Sequence, residues 1–200
     1  MICDRITIGS QADCEDLPEG GTRARLILIN YRDVVSITED NNGIITSIEL
    51  EDGKTGYEFL GFRADIKKVD SVFKTVLKGR FKHSVGFVIY ERTQVQKNNV
   101  KALAKGRFIA IIENRGKGEN SIEVVGKNVG LRIVGGVIRD AYDNSGMFVM
   151  QLQTPDNDAE FEKKLPQNLG YSYEEGLIII SVILGAELET FDDSFDDSFG

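Results

Sequence analysis

Three short segments carry residue types that could do chemistry, and the first is Gly53-Lys54-Thr55. A glycine-lysine-threonine run ends the loop with which many nucleotide-binding proteins hold phosphate groups. That loop also needs a glycine five residues before the Gly-Lys pair, and Ile48 occupies this position. Because Ile48 belongs to a stretch that alternates between apolar and polar residues, the segment predicts a hairpin turn and not a phosphate site.

The second segment, GYSYE at residues 170–174, begins like the nucleophile turn of serine hydrolases. Glu174 occupies the place of the second glycine of that motif, and the chain offers a single histidine, His83, as a base. Glu174 and Glu175 would point to opposite faces of an extended segment, so they do not form a carboxylate pair for acid-base catalysis. Enzymatic activity is therefore the most distant of the alternatives.

The third segment, FKHSVGFVIY at residues 81–90, contains that histidine. In a strand, Phe81, Val85 and Phe87 would share a face with His83. One histidine on an apolar face is most often packed and hydrogen bonded, and a transition-metal site here would depend on scattered carboxylates. We therefore predict a structural histidine and, for the whole chain, no catalytic residue, no metal and no cofactor.

Composition indicates a globular protein with many short strands and tight turns. The 200 residues are 41% hydrophobic and 28% charged, with 21 glycines, three prolines and no tryptophan.

Cys3 and Cys14 lack a neighbouring cysteine cluster, which favours reduced thiols. The first residues do not resemble a signal peptide, and the longest apolar run, at 177–184, is too short for a bilayer span, so we expect a soluble protein without membrane contact.

Turn signals divide the chain into strand-like stretches. Hairpins are expected at DNNG (residues 40–43), EDGKTG (51–56) and DNSG (143–146). Alternation supports strands with one wet face. The residues expected on the apolar faces are Ile44, Thr46, Ile48 and Leu50 in one strand and Phe148, Met150 and Leu152 in another.

One helix is clearly indicated between two strands. Thr93 and Gln96 have the spacing of an N-terminal capping box, and Gly106 is expected to supply a left-handed C-terminal cap. Residues 64–79 fit a helix slightly better than an extended arm. The segment 154–173 is expected to be a loop, and LIIISVIL at 177–184 is expected to be the last strand.

The segment RLILINY at residues 25–31 is apolar on both faces of a strand. Such a strand needs cover on both sides. We therefore expect subunits to join by strand pairing and by burial of apolar edges.

The C-terminal residues 187–200 form an acidic tail with a regular repeat. The tail contains six acidic residues and no basic residue, so it carries −6 of the chain's net charge of −8 and residues 1–186 carry only −2. Because residues 1–186 have no excess of basic residues, tight binding to nucleic acid is not expected. Phe191, Phe195 and Phe199 recur every fourth residue and would share one face of a strand or of a helix. We interpret them as the interaction residues of an anchor, with a flexible solubilising tail as the alternative.

Residues 20–175 resemble virion proteins of tailed phages that infect gut Bacteroides-type bacteria, including the crAss-like phages. The likeness rests on a Leu-Ala-x-Gly-Arg-Phe segment at 103–108, on Glu113-Asn114, on a Glu-Val-x-Gly-x-x-x-Gly-Leu segment at 123–131, and on Arg139-Asp140. These motifs are structural and not catalytic, and the C-terminal tail is not part of the likeness.

The resemblance implies a subunit of a tail-tube or head-to-tail connector ring. Its implied fold is mainly β, a β-sandwich or partial barrel of tail-tube type with one short helix packed across it. Residues 1–186 would form a single β-rich, ring-forming domain, and residues 187–200 would form the tail. The expected assembly is a homo-oligomeric ring of six or twelve subunits in the virion tail or neck. It would contact neighbouring tail or neck proteins and let DNA pass non-specifically.

A second interpretation is a β-sandwich binding or decoration module that contacts the host surface or another capsid protein. A sugar-binding module usually presents aromatic platforms, and the absence of tryptophan counts modestly against it.

Overall fold

The structure, a computed structural model, describes residues 22–60, 74–75, 80–89, 93–114, 121–134, 138–139, 148–155 and 162–185. Within these ranges the strands are β1 Thr22–Asn30, β2 Val34–Glu39, β3 Ile45–Leu50, β4 Tyr57–Leu60, β5 Lys74–Thr75, β6 Phe81–Lys82, β7 Ser84–Ile89, β8 Phe108–Asn114, β9 Ile122–Val125, β10 Arg132–Ile133, β11 Ile138–Arg139, β12 Phe148–Gln153 and β13 Gln167–Asn168. The helices are α1 Gln94–Leu103 and α2 Tyr173–Ile183, and a 3-10 turn covers Tyr31–Asp33.

A five-stranded antiparallel sheet lies at the centre, in the order β13-β9-β8-β1-β4. β1 and β8 are rich in isoleucine and leucine, residues that fit a sheet buried on both faces. A second antiparallel sheet is built on β12, which pairs with β7 along one edge and with β10 and β11 along the other. β2 pairs with β3 and β5 pairs with β6 in two separate two-stranded sheets.

Two apolar cores lie on opposite faces of the central sheet. The first core joins Leu26 and Leu28 of β1 to the second sheet and to α1, and its contacts from those elements include Val85, Phe87, Val100, Leu103, Met150 and Leu152. The second core joins Ile27 and Ile29 to the β2-β3 hairpin and to α2, and its contacts include Ile45, Ile48, Ile180 and Ile183. The central sheet is therefore the middle of three layers.

This arrangement confirms a mainly β fold with a short helix across it. It also shows that both faces of β1 are covered by the same chain, since Leu26, Ile27, Leu28 and Ile29 are all buried. The apolar character of β1 on both faces therefore has an explanation that does not involve another subunit.

Of the three expected hairpins, the one at residues 40–43 is confirmed. The backbone N–H of Asp40 donates to the Ile44 carbonyl at 3.0 Å, and Gly43 has a φ of 86°. The predicted hairpin at 51–56 is wrong, because the strands on either side of this turn do not pair with each other: β3 pairs with β2, and β4 pairs with β1. This segment turns the chain out of the small hairpin and into the central sheet. Residues 143–146 lie outside the described ranges, although the flanking β11 and β12 do pair.

The helix at α1 is confirmed, with the Thr93 side chain accepting a bond from the Gln96 N–H at 3.3 Å. The predicted glycine cap is wrong. α1 ends at Leu103, its cap is Ala104 in the right-handed region, and Gly106 does not have a positive φ. Gly106 instead allows close approach of Phe108, since a Cβ at Gly106 would lie 2.1 Å from the ring.

The last predicted strand, at 177–184, is wrong because residues 177–183 belong to α2 and Leu184 is its C-terminal cap. The Ser172 side chain accepts a bond from the Glu175 N–H at 3.2 Å, and Glu174 and Glu175 complement the positive end of the helix dipole. Capping therefore starts a helix that the β-branched composition alone did not indicate.

Other local predictions have mixed outcomes. The predicted alternation of buried and exposed residues in β12 is confirmed. In β3 it is not, since the buried residues Ile45 and Ile48 are three positions apart. The cause is the irregular pairing with β2 between Thr38 and Glu39. Residues 64–79 are described only at Lys74–Thr75, where the chain is a strand and not the favoured helix. The predicted loop 154–173 contains β13 and the first residue of α2.

Candidate functional site

His83 is held at the start of β7 by bonds from three directions. Its Nδ1 atom accepts from the Gly126 N–H at 3.2 Å, and its Nε2 atom lies 3.0 Å from the Lys164 carbonyl oxygen. Because a carbonyl cannot donate, Nε2 carries the proton and the ring is neutral. Its backbone N–H donates to Oγ1 of Thr154, and its carbonyl accepts from the Thr154 N–H at 2.9 Å.

Burial determines the charge state of this histidine. His83 is 2% exposed. Loss of solvent lowers its pKa to about 4, and the bond to the Lys164 carbonyl only partly opposes that shift. The prediction of a packed, hydrogen-bonded histidine on an apolar face is confirmed, since Val85 and Phe87 are also buried.

Glu162 holds the same turn from a second side. Its carboxylate is buried and accepts from the N–H groups of Asn128 at 3.1 Å and Val129 at 2.9 Å. Its own backbone exchanges two hydrogen bonds with Phe81, next to β7. We call His83, Gly126, Glu162 and Lys164 the polar clasp, because they tie the turn after β9 to the start of β7 and to the segment before β13.

Charged side chains extend from the clasp toward the tip of the β2-β3 hairpin. Glu39 forms ion pairs with Lys127 and Lys164, and Lys127 also donates to Oε1 of Gln167 at 3.0 Å. Burial and the neighbouring Lys164 charge lower the pKa of Lys127, while Glu162 opposes that shift. The positive charges of Lys127 and Lys164 are therefore compensated by the buried carboxylate of Glu162 and the half-buried carboxylate of Glu39.

An open cleft of about 370 Å³ lies beside this cluster, between residues 40–44 and 164–168. Asp40 accepts from the N–H groups of Asn42 at 2.9 Å and Ile44 at 2.7 Å and from the Tyr171 hydroxyl at 3.3 Å. Desolvation is the largest single influence and raises the pKa of Asp40, but these hydrogen bonds together outweigh it, so the pKa is lowered. Gln167 donates to the Gly43 carbonyl. Asp40 and Gln167 of the cleft are thus engaged within the chain.

The segments at residues 53–55 and 170–174, whose residue types suggested chemistry, form a turn and a helix cap. Gly53 has a φ of 70° and Lys54 donates its N–H to the Glu51 carbonyl at 2.9 Å, as in a turn. Ser172 caps α2. Within the described ranges, no group of three or more histidine, cysteine, aspartate or glutamate side chains is placed to hold a metal ion. Cys3 and Cys14 lie outside those ranges.

The two glycine-containing motifs of the resemblance pack against each other. Phe108 and Leu131 exchange backbone hydrogen bonds of 2.9 and 2.7 Å. Gly126 and Gly130 have φ values of 76° and 78°. A Cβ at Gly126 would lie 2.5 Å from Leu131, and one at Gly130 would lie 2.4 Å from Arg107.

The aromatic ring of Tyr31 completes this contact. The guanidinium of Arg107 lies 5.7 Å from the Tyr31 ring centre, and the Tyr31 hydroxyl donates to the Asn128 carbonyl at 2.6 Å. We call the contact of Tyr31, Arg107 and Phe108 with residues 126–131 the motif joint. At Gly130 a larger residue would hold the two segments apart, whereas Gly106 and Gly126 make room for Phe108 and Leu131 of their own segments.

α2 presents an apolar stripe to solvent. Gly176, Ile180 and Ile183 are buried against the second core, whereas Ile178 and Val182 are 50% and 56% exposed. The C-terminal end of α2 is fixed, since the Gly56 N–H donates to the Ile183 carbonyl at 2.8 Å. We call Ile178 and Val182 the α2 stripe.

The predicted interaction residues Phe191, Phe195 and Phe199 lie outside the described ranges. The α2 stripe was missed because residues 177–184 were assigned to a strand. The Ser-x-x-Glu spacing of Ser172 and Glu175 is the signal that would have identified the helix and its exposed face.

Comparison with known proteins adds no relative, since no family model, no curated protein and no solved structure matches this chain. No helix in the described part of the chain is long and apolar enough to cross a membrane.

Proposed function

We propose that this chain is a non-enzymatic structural protein of a tailed-phage virion. It forms a homo-oligomeric ring of six or twelve subunits in the tail or neck, and DNA passes through the ring without sequence-specific contact. The observation that carries the proposal is the motif joint. Two of the segments by which the sequence resembles phage virion proteins, residues 106–108 and 126–131, pack together within the β fold.

The distribution of polar groups is compatible with a structural role. Buried side chains that often do chemistry, His83 and Glu162, bind backbone groups and so fix the relative positions of β7, β9 and β13. A ring subunit must keep its shape while force and DNA pass, and a clasp between elements that are distant in sequence serves that need.

Exposed apolar groups supply contacts for assembly. Besides the α2 stripe, Val35 and Tyr57 are 61% and 53% exposed. Tyr57 lies on β4, at one end of the central sheet's strand order. The tail phenylalanines Phe191, Phe195 and Phe199 are proposed as further contacts to neighbouring subunits or rings in the assembled particle.

Negative-stain microscopy of the purified protein tests this function. Rings or stacked tubes are expected, alone or with the neighbouring tail or neck proteins. A monodisperse monomer at high concentration in the presence of those neighbours would overturn the proposal.

A second candidate is a binding module that decorates the particle, and the cleft beside Asp40 favours it. Tyr171 is 47% exposed and its hydroxyl contacts the Asp40 carboxylate, an aromatic-acid pair that suits a sugar ring. Binding of host-surface glycan by the wild type but not by Tyr171→Ala, without ring formation by either protein, would support this function over the first.

A further inference from the structure

We propose that Lys127 and Gln167 form a covalent isopeptide bond, in which the side-chain nitrogen of Lys127 replaces the amide nitrogen of Gln167. The folded chain makes this bond on itself, with the Glu39 carboxylate as the proton carrier and with no added enzyme or cofactor. The inference does not depend on the proposed role in a virion, because all the groups that it uses lie within one subunit.

The Gln167 side chain is held with its oxygen toward the lysine. Lys127 Nζ donates to Gln167 Oε1 at 3.0 Å, and Gln167 Nε2 donates to the Gly43 carbonyl. An ammonium group only donates and a backbone carbonyl only accepts, so these two partners determine which end of the amide is the oxygen. The amide carbon Cδ is one C=O bond, about 1.2 Å, beyond the oxygen that Nζ contacts. The attacking nitrogen and its target carbon are therefore neighbours in the folded chain.

Both reacting groups are largely withdrawn from water. Gln167 is buried, and the Lys127 side chain is 13% exposed. Burial and the positive charge of Lys164 lower the pKa of Lys127, while Glu162 opposes that shift. A lower pKa increases the fraction of neutral amine, which is the form that has a lone pair for attack on a carbonyl carbon.

Glu39 contacts the reacting nitrogen and is placed to carry its protons. Its carboxylate forms ion pairs with both Lys127 and Lys164. The Lys164 side chain is 52% exposed and therefore remains solvated, whereas Lys127 is shielded and also contacts the amide oxygen. This difference identifies Lys127 as the lysine that reacts and Lys164 as a neighbouring positive charge.

The reaction replaces one amide with another and releases ammonia. The Lys127 ammonium gives one proton to Glu39, and the freed lone pair of Nζ attacks Cδ of Gln167 to form a tetrahedral carbon. Nζ then gives up a second proton through Glu39, and the bond between Cδ and Nε2 breaks. Both protons reach the departing nitrogen, which leaves as ammonium and restores the Glu39 carboxylate. No oxidant or reductant is needed, because no atom changes its oxidation state.

The bond closes residues 127–167 into a covalent loop. This loop contains β10, β11 and β12 and ends in β13, which pairs with β9 of the central sheet. Force that enters the chain from outside these residues passes through the bond and does not extend the loop. The cross-link therefore protects the second sheet against mechanical unfolding.

Mass spectrometry of the full chain under denaturing conditions tests the bond. After incubation of the purified protein at pH 8.5, we expect a mass about 17 Da below that of the sequence, the mass of one ammonia. Proteolysis should then give one branched peptide that contains both Lys127 and Gln167. Lys127→Arg is the matched control, since it keeps a positive charge and a donor for the Gln167 oxygen but has no amine to react. This variant should keep its full mass.

Two further variants separate the roles of the neighbouring charges. Lys164→Arg keeps the positive charge beside Lys127 and should be linked to the same extent as the wild type. Glu39→Gln removes the proton carrier and should reduce the linked fraction at least about tenfold. Circular dichroism confirms that each variant folds.

Three results would overturn the proposal. The first is an unchanged mass of the wild type after incubation. The second is a loss of about 18 Da, the mass of water, which would place the new bond on the Glu39 carboxylate. The third is a loss of about 17 Da that persists in Lys127→Arg or leaves Lys127 and Gln167 in separate peptides, as ring closure at Asn42-Gly43 would produce.

Discussion

The Nδ1 atom of His83 accepts a hydrogen bond from the backbone N–H of Gly126, 43 residues further along the chain. This bond requires a neutral ring, because a protonated imidazole has no free acceptor. The start of β7 and the turn after β9 are thus joined by a contact that depends on the protonation state of one side chain.

Stability should therefore depend on pH through His83. The unfolded chain binds a proton with a pKa near 6.5 and the folded chain with a pKa of about 4. The unfolded state binds more protons between these values, so stability is complete above pH 6.5 and decreases by about 3 kcal/mol as the pH falls toward 4. Urea denaturation between pH 4 and pH 8 measures this change.

His83→Asn is the matched control for the pH dependence, because its amide oxygen can still accept from Gly126 and it does not titrate. The variant should be about 1–3 kcal/mol less stable at pH 7.5, since the Lys164 carbonyl loses its donor. Its stability should change less than that of the wild type between pH 6.5 and pH 4. Identical pH profiles for the two proteins would contradict the assignment.

Gly126→Ala should destabilise the fold by about 2–4 kcal/mol. The substitution places a Cβ in the left-handed region and within 2.5 Å of Leu131, which is fully buried. Gly53→Ala separates the two causes, since Gly53 also has a positive φ but a Cβ there has no neighbour within 4 Å. The control should lose only about 1–2 kcal/mol. Equal losses in thermal or urea unfolding would mean that close packing at the motif joint does not matter.

Tyr173→Phe should cost about 1.5–3 kcal/mol in the free energy of unfolding. The Tyr173 hydroxyl donates to the Glu113 carboxylate at 2.6 Å, and Glu113 is only 4% exposed. Removal of this donor leaves a buried carboxylate with one fewer bond. Tyr57→Phe, at a half-exposed position, should change stability by less than about 0.5 kcal/mol. A similar small change for both variants would show that the bond contributes little.

Removal of the tail should impair assembly of the virion neck or tail. Each buried phenylalanine contributes about 1.5–3 kcal/mol, while each ordered residue costs about 1–2 kcal/mol of backbone entropy. A single tail is therefore near or below break-even, and many copies in a ring are needed to make it an anchor. Deletion of residues 187–200 and, separately, replacement of Phe191, Phe195 and Phe199 by serine should both reduce assembly. Normal assembly and packaging by both variants would show that the tail is a solvated appendage.

The lumen of an assembled ring should be lined by acidic and neutral polar side chains, because DNA must slide without being held. A structure of the ring checks this directly. A lumen dominated by lysine and arginine would contradict the proposed conduit.

Local chemistry made part of this fold predictable from the sequence. Thr93 and Gln96 identified α1, and the period-two pattern of Phe148, Met150 and Leu152 identified β12. These features depend on interactions within a few residues. The run at 177–184 failed this approach because an apolar, β-branched segment of eight residues fits a strand or a buried helix, and only the cap at Ser172 distinguishes them.

The polar clasp could not be predicted because its partners are far apart in sequence. The sequence indicated that His83 would be hydrogen bonded, but Gly126 and Lys164 follow it by 43 and 81 residues. Glu162 falls in a segment that was expected to be a loop, and nothing local indicates that its carboxylate is buried beneath the turn at residues 128–129. Pairing across such distances is set by the whole topology and not by local propensity.

The two-sided burial of β1 bears on how its register is encoded. A strand with one wet face resists a one-residue slip because the slip would move its apolar side chains into water. In β1 a slip would exchange Leu26 and Leu28 for Ile27 and Ile29 without exposing any of them to solvent. Alignment must then come from shape, with γ-branched leucines on one side and β-branched isoleucines on the other, and from the Arg25 ion pair with Glu58 of β4. Leucine-isoleucine exchanges in β1, usually regarded as silent, are thus the substitutions most able to shift its alignment.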